Sequence, residues 1–157
     1  MMAETLRVLI VDNEPDFLET LSYWLRSKGY DVTQAGDGDT AVRLVKEGRQ
    51  DVVFLDIVMP KIDGIETLRR IRTFNKKIPI ILVTASVENE NRFAGARALG
   101  ISGVFPKQGG LEQLGQVLGV ALRMLKKSQL NAAISSQPLH GGFLQRLFQK
   151  VFPSSRH

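Results

Sequence analysis

The chain has 157 residues, of which 43% are hydrophobic and 24% charged, and it carries a net charge of +5. That composition suits one domain with its own core. The absence of cysteine excludes disulfides, thiolate metal sites and cysteine nucleophiles, and fits a reducing cytosol.

The first apolar run, residues 6–11, contains Arg7 and stops at Asp12-Asn13. It is too short for a signal peptide, and no run in the chain approaches a membrane span. A helical pattern follows from Pro15, with an apolar stripe of Phe17, Leu18, Leu21, Trp24 and Leu25, and Gly29 marks its end. Residues 31–35 alternate and read as an edge strand. Ala41, Leu44 and Val45 line a second helix. Residues 52–55 form a continuous apolar run that ends at Asp56, with Pro60 and Gly64 in the turn beyond it. Ile65, Leu68 and Ile71 mark a third helix. The run 80–83 ends at Thr84. A weak fourth helix over about 88–99 carries Phe93, Ala94, Ala96 and Ala98. A short edge strand at 103–105 leads to Lys107, and Leu111, Leu114, Leu118, Ala121 and Leu125 mark a fifth helix.

Strict alternation of strands and helices implies right-handed crossovers and a parallel sheet covered on both faces. The expected fold is α/β, a doubly wound (βα)5 flavodoxin-like sheet of order 2-1-3-4-5 with a C-terminal helical extension. Residues 1–127 form the expected domain, 128–142 a linker, and 143–157 a short amphipathic basic tail. In that tail Phe143, Leu144, Leu147, Phe148 and Val151 share one helical face, read as a docking stripe for this domain, a second copy or a partner groove. All 16 acids precede residue 113. The basic run Arg69, Arg70, Arg72, Lys76 and Lys77 reads as a solvated helix face and its exit loop.

Four polar side chains stand at strand ends on one edge of this sheet. Asp12 and Asp56 end adjacent strands about 4.8 Å apart, close enough to share one cation. Thr84 adds a hydroxyl and Lys107 a mobile cation. Singly, each reads as a helix cap or a solvated charge. Together they form a constellation suited to phosphoryl transfer onto a carboxylate, which needs charge neutralisation, donors to phosphoryl oxygens and an in-line acceptor. A dehalogenase-type phosphatase would need a second Asp where Val58 stands. No phosphate loop is present, and His140 and His157 make no ligand pair.

This set resembles the receiver domain of bacterial two-component response regulators, over roughly residues 5–127. The resemblance implies Asp56 as phosphoacceptor, and Asp12, Asn13, Asp56 and the Val58 carbonyl as holders of Mg2+. It implies Thr84, Ala85 and Lys107 as the phosphoryl-contact and switch set. Three departures stand out. Asn13 replaces an acid that the family uses as a direct metal ligand, so weaker Mg2+ binding is expected. Gln108 stands where a proline is common, so a looser loop is expected. Val104 occupies the usual place of the switch aromatic, and Phe105, one place later, is expected to face the other side of its strand.

The implied function is that of a cytoplasmic single-domain response regulator, not an enzyme. It would be phosphorylated by a histidine kinase or histidine phosphotransfer protein and would signal to a downstream protein target. No DNA-binding domain is read from the sequence, a homodimer is one use for the tail, and the two cations of its ten-residue amphipathic patch, Arg146 and Lys150, are thin for membrane attachment. The alternative is a receiver-like interaction or targeting module that acts without phosphorylation.

Overall fold

Three runs of Val, Ile, Leu and Phe leave no side for water, and in the computed structural model they form the middle of the sheet. The structure describes residues 5–85 and 90–136. The elements are β1 (Arg7–Val11), α1 (Pro15–Ser27), β2 (Asp31–Ala35), α2 (Gly38–Lys46), β3 (Val52–Asp56), α3 (Gly64–Phe74), β4 (Ile80–Thr84), α4 (Glu90–Leu99), β5 (Gly103–Pro106) and α5 (Leu111–Ser136). All strand pairs are parallel, in the order β2-β1-β3-β4-β5. The expected architecture is therefore observed, with the alternating strand β2 and the short strand β5 at the edges.

Alternation along the strands splits the core in two. Leu9, Val11, Val53, Leu55, Ile80 and Leu82 pack under α2, α3 and α4. Val8, Ile10, Val52, Phe54, Ile81 and Val83 pack under α1 and α5. Central β3 and β4 are buried throughout, because helices cover both of their faces. Acids away from the strand ends do the work of caps. Asp37 accepts from the Thr40 N–H and Asp63 from the Glu66 N–H, both at 2.8 Å, which starts α2 and α3.

The turn after β3 is fixed by close approach. The Gly64 N–H donates to the Ile57 carbonyl at 2.8 Å, and a Cβ on Gly64 would overlap the Asp56 carbonyl oxygen and crowd Ile57 Cα. Lys61 completes this turn in a left-handed conformation, φ 68°. The N-terminus of α3 is thus pressed onto the end of β3, which sets where Asp56 points.

Two expectations need correction. The stretch read as the start of a linker at Ser128 continues α5 to Ser136. Leu130, Ala132 and Ala133 sustain a helix, and neither Gly nor Pro interrupts the chain between Gly119 and Pro138. The basic run on α3 is also not uniformly solvated. Arg69 and Arg70 pair with Glu66, and Arg70 reaches Asp39. Arg72 is buried, and its guanidinium donates to the carbonyls of Gly100, Asn75 and Ile78. It ties the end of α3 to the start of β4 and the α4–β5 connection. The tail residues Phe143, Leu144, Leu147, Phe148 and Val151 lie outside the described residues, as does Ser86.

Two alanine substitutions test the turn argument. Gly64→Ala should cost about 3 kcal/mol or more, since the new methyl meets backbone that cannot yield. Gly95→Ala lies in α4 with open space around it and should gain about 0.5–1 kcal/mol from helix propensity. Urea unfolding checks both, and similar midpoints for the two variants would contradict the close-approach account.

Candidate functional site at the carboxyl ends of the strands

Register brings the acids together. Val11 pairs with Leu55, so the next residues, Asp12 and Asp56, leave adjacent strands side by side. Asp12 is fully buried. Its Oδ1 accepts from the Glu14 N–H at 2.8 Å, which folds the β1–α1 loop. Its Oδ2 makes an ion contact with Lys107 Nζ at 2.8 Å but no well-aligned hydrogen bond. Asp56 is 3% exposed, and the Val58 N–H donates to its carboxylate.

Lys107 arrives from the far side. Thr84 pairs with Pro106, and the Lys107 N–H donates to the Thr84 carbonyl at 2.7 Å, so the lysine leaves β5 level with the end of β4. Its ammonium lies 2.8 Å from Asp12, 2.9 Å from Glu14 and 3.3 Å from Asp56. It also sits over the Phe17 ring, 4.9 Å from the centroid. Burial works against its charge, but the carboxylates of Asp12, Glu14 and Asp56 outweigh that and raise its pKa further.

Burial does the opposite to Asp56. With the nearby Asp12 charge, it pushes this carboxyl up to about 6, against the pull of Lys107. The group is still largely ionised at neutral pH.

Glu14 was not foreseen. Asp12, Glu14 and Asp56 each offer an oxygen within 4.8 Å of the others. The available signal was Asp12-Asn13-Glu14 at a strand end, which the eye takes as the start of α1. Asn13 is exposed. The Val58 side chain is 65% exposed, leaving only its backbone near Asp56. Thr84 is buried, and Ala85 is exposed. Phe105 packs with α1 and α5, whereas Val104 packs on the α2, α3 and α4 side. The two switch-face candidates therefore lie on opposite faces, as strand alternation requires.

The donor set fits Mg2+. Three carboxylates supply hard oxygen ligands, and Asp12 Oδ2 is buried without an aligned hydrogen bond.

A stability measurement tests the Asp56 environment. In the unfolded chain this carboxyl titrates near 3.8, against about 6 when folded. Between those values the folded state keeps a proton that the unfolded state has lost, so stability falls as pH rises through the window. Asp56→Asn should therefore stabilise the chelator-treated protein by about 3 kcal/mol at pH 7.5, with the gain fading towards pH 4. A urea midpoint difference independent of pH would contradict this.

Comparison with known proteins agrees with the geometry. Residues 8–119 match the response regulator receiver domain family. The chain is 34% identical over 131 residues to response regulator MprA of Mycobacterium ulcerans, covering 83% of this chain and 56% of that protein. It is 41% identical over 93 residues to "Probable transcriptional regulatory protein TcrX" of Mycobacterium tuberculosis, covering 59% of this chain and 40% of that protein. The chain thus spans about half the length of the curated relatives it matches. Among solved structures, chemotaxis protein CheY4 of Vibrio cholerae superposes with TM-score 0.69 at 29% identity, covering 74% of this chain and 98% of that one. Response regulator TrrA of Thermotoga maritima, solved in complex with Mg2+ and BeF, does so with TM-score 0.68 at 31% identity, covering 74% and 99%. With the matched fold and the acidic pocket at its strand ends, the chain belongs to the response regulator receiver domain family of two-component systems.

Proposed function

We propose that this chain accepts a phosphoryl group on Asp56 from the phosphohistidine of a histidine kinase or phosphotransfer protein, and passes the signal on by protein contact. The observation that carries this reading is the buried Asp56 carboxylate, 3.3 Å from the Lys107 ammonium and beside Asp12. An Asp56 oxygen forms the new bond to phosphorus, and the bond from phosphorus to the donor's imidazole nitrogen breaks. Lys107 stands where it can contact the arriving phosphoryl oxygens. The Thr84 hydroxyl, at the end of the next strand, is the group that follows them, and Ala85 keeps the approach open.

Asp12 and Asp56, with Asn13 and the Val58 carbonyl, are the proposed Mg2+ holders. When bound, Mg2+ supplies positive charge that neutralises the phosphoryl oxygens. The Mg2+ and BeF complex of the Thermotoga relative supports this assignment. The chain works as a signalling module in the cytoplasm rather than as an enzyme. Its output is carried by the surface of α4, β5 and α5 to a downstream protein, with the tail as a further docking element. Among the described residues no helix is long and apolar enough to cross a membrane.

A second reading is a receiver-like module that works without phosphate. Asn13 and the non-aromatic Val104 favour it. Incubation with Mg2+ and acetyl phosphate, followed by intact mass, separates the two. The first reading expects one added phosphoryl group on the wild type and none on Asp56→Asn, and equal labelling of both would overturn the assignment.

The phosphorylated form should also be long-lived. Water attacking the acyl phosphate needs a group to orient it, and the Val58 side chain offers no hydrogen bond. Val58→Asn should speed loss of phosphate several-fold, read as decay of the labelled mass. An unchanged decay rate would remove position 58 from that role.

A further inference from the structure

We propose that Glu14 replaces the acid missing at residue 13 as the third carboxylate of the Mg2+ pocket. The inference rests on the receiver reading above and names a residue of that same site.

Three observations carry it. Asn13 is exposed and brings no charge, whereas Glu14 places a carboxylate oxygen within 4.8 Å of those of Asp12 and Asp56. A cation already sits among the three acids. The Lys107 ammonium is 2.8, 2.9 and 3.3 Å from Asp12, Glu14 and Asp56. The three oxygens therefore already surround one cationic position, and a smaller Mg2+ ion would draw them closer together. Finally, Glu14 stands at the N-cap of α1, yet its side chain makes no capping bond there. Pro15 follows at the first helical position and needs no partner for an N–H. The ordinary reason for a polar residue before a helix is thus absent, and the side chain is turned to the pocket instead.

The loop holds Glu14 in this role. Its own N–H is bound to Asp12 Oδ1 at 2.8 Å, so the two acids are linked through the backbone as well as through Lys107. The Glu14 side chain is 63% exposed, while Asp12 and Asp56 are buried. That leaves it on the solvent side, where Mg2+ keeps several of its waters.

Lys107 and Mg2+ compete for the Glu14 carboxylate, and charge decides which loses more when it is removed. Coulomb attraction scales with the charge of the cation, so a divalent ion loses twice what the ammonium loses at the same distance. Neutralising Glu14 should therefore weaken Mg2+ binding, although it also frees the competitor.

Calorimetric titration of the full chain with Mg2+ tests this, using wild type, Glu14→Gln, the double variant Asn13→Asp with Glu14→Gln, and Asp56→Asn. Glu14 is exposed, so its substitution leaves the fold intact. Glu14→Gln should weaken Mg2+ binding about tenfold. The double variant, which moves the charge back to residue 13, should return to within about twofold of wild type. An unchanged affinity in Glu14→Gln, with a clear loss in Asp56→Asn, would overturn the role of Glu14 and leave the receiver reading standing. A double variant as weak as Glu14→Gln would overturn it too, by showing that charge is not the cause. Full affinity in both Glu14→Gln and Asp56→Asn would bring down the metal pocket itself.

Discussion

The Lys107 ammonium is what lets carboxylates crowd the end of this sheet. Asp12 and Asp56 are both buried, and neighbouring buried anions repel each other while losing their water. Without a cation, one of them would have to take up a proton. Lys107 reaches both from β5, two strands beyond Asp56, because β5 runs to Pro106 and its pairing with Thr84 fixes where the lysine starts. The Phe17 ring beneath the ammonium adds attraction without another charge. Even so the balance is incomplete, since Asp56 is pushed up to about 6 by burial and by Asp12. The pocket is therefore under electrostatic tension before any ligand enters, and a divalent ion relieves what one ammonium cannot.

Burial decides which parts of the protein were legible in its sequence. Strands covered on both faces must be continuously apolar, so residues 52–55 and 80–83 declared themselves, and the polar residue ending each run declared the site. The bland alternative for an acid at an element's end, a helix cap, does hold for Asp37 and Asp63. It fails for Asp56, which ends β3 with seven residues, Pro60 among them, still to run before α3 begins at Gly64. Glu14 was hidden because sequence position alone cannot separate a capping acid from a pocket acid. The difference lies in the rotamer, which Lys107, 93 residues away, decides. Arg72 was hidden for a similar reason. Its neighbours Arg69 and Arg70 are solvated, and only the tertiary arrangement of three carbonyls makes the third arginine a buried tie. The early end assigned to α5 had a local cause. The serines, Gln129 and Asn131 look like linker residues, but helix propensity between Leu130 and Ile134 carries the last turns.

Gln108 shows how a departure from the usual receiver pattern can be compensated. A residue other than proline after Lys107 reads as a looser β5–α5 loop. In the structure that loop has other restraints. The Gln108 side-chain amide donates to the Ala85 carbonyl at 3.0 Å, and the Lys107 N–H donates to the Thr84 carbonyl at 2.7 Å. Gly109 follows with its N–H on the Pro106 carbonyl, in a place where a Cβ would crowd Phe105, Gln113 and that same carbonyl oxygen. A ring that would have stiffened one loop is replaced by a bond that joins two. The consequence differs from rigidity. Proline restrains its own φ whatever the neighbouring loop does, whereas the Gln108 bond exists only while Ala85 stays in reach. Among the described residues this exposed hydrogen bond joins Ala85 to Gln108, and such a bond is worth about 0.5–1.5 kcal/mol. That is a modest tie, and it holds Ala85, the residue directly after the end of β4 at Thr84, to the start of the β5–α5 connection.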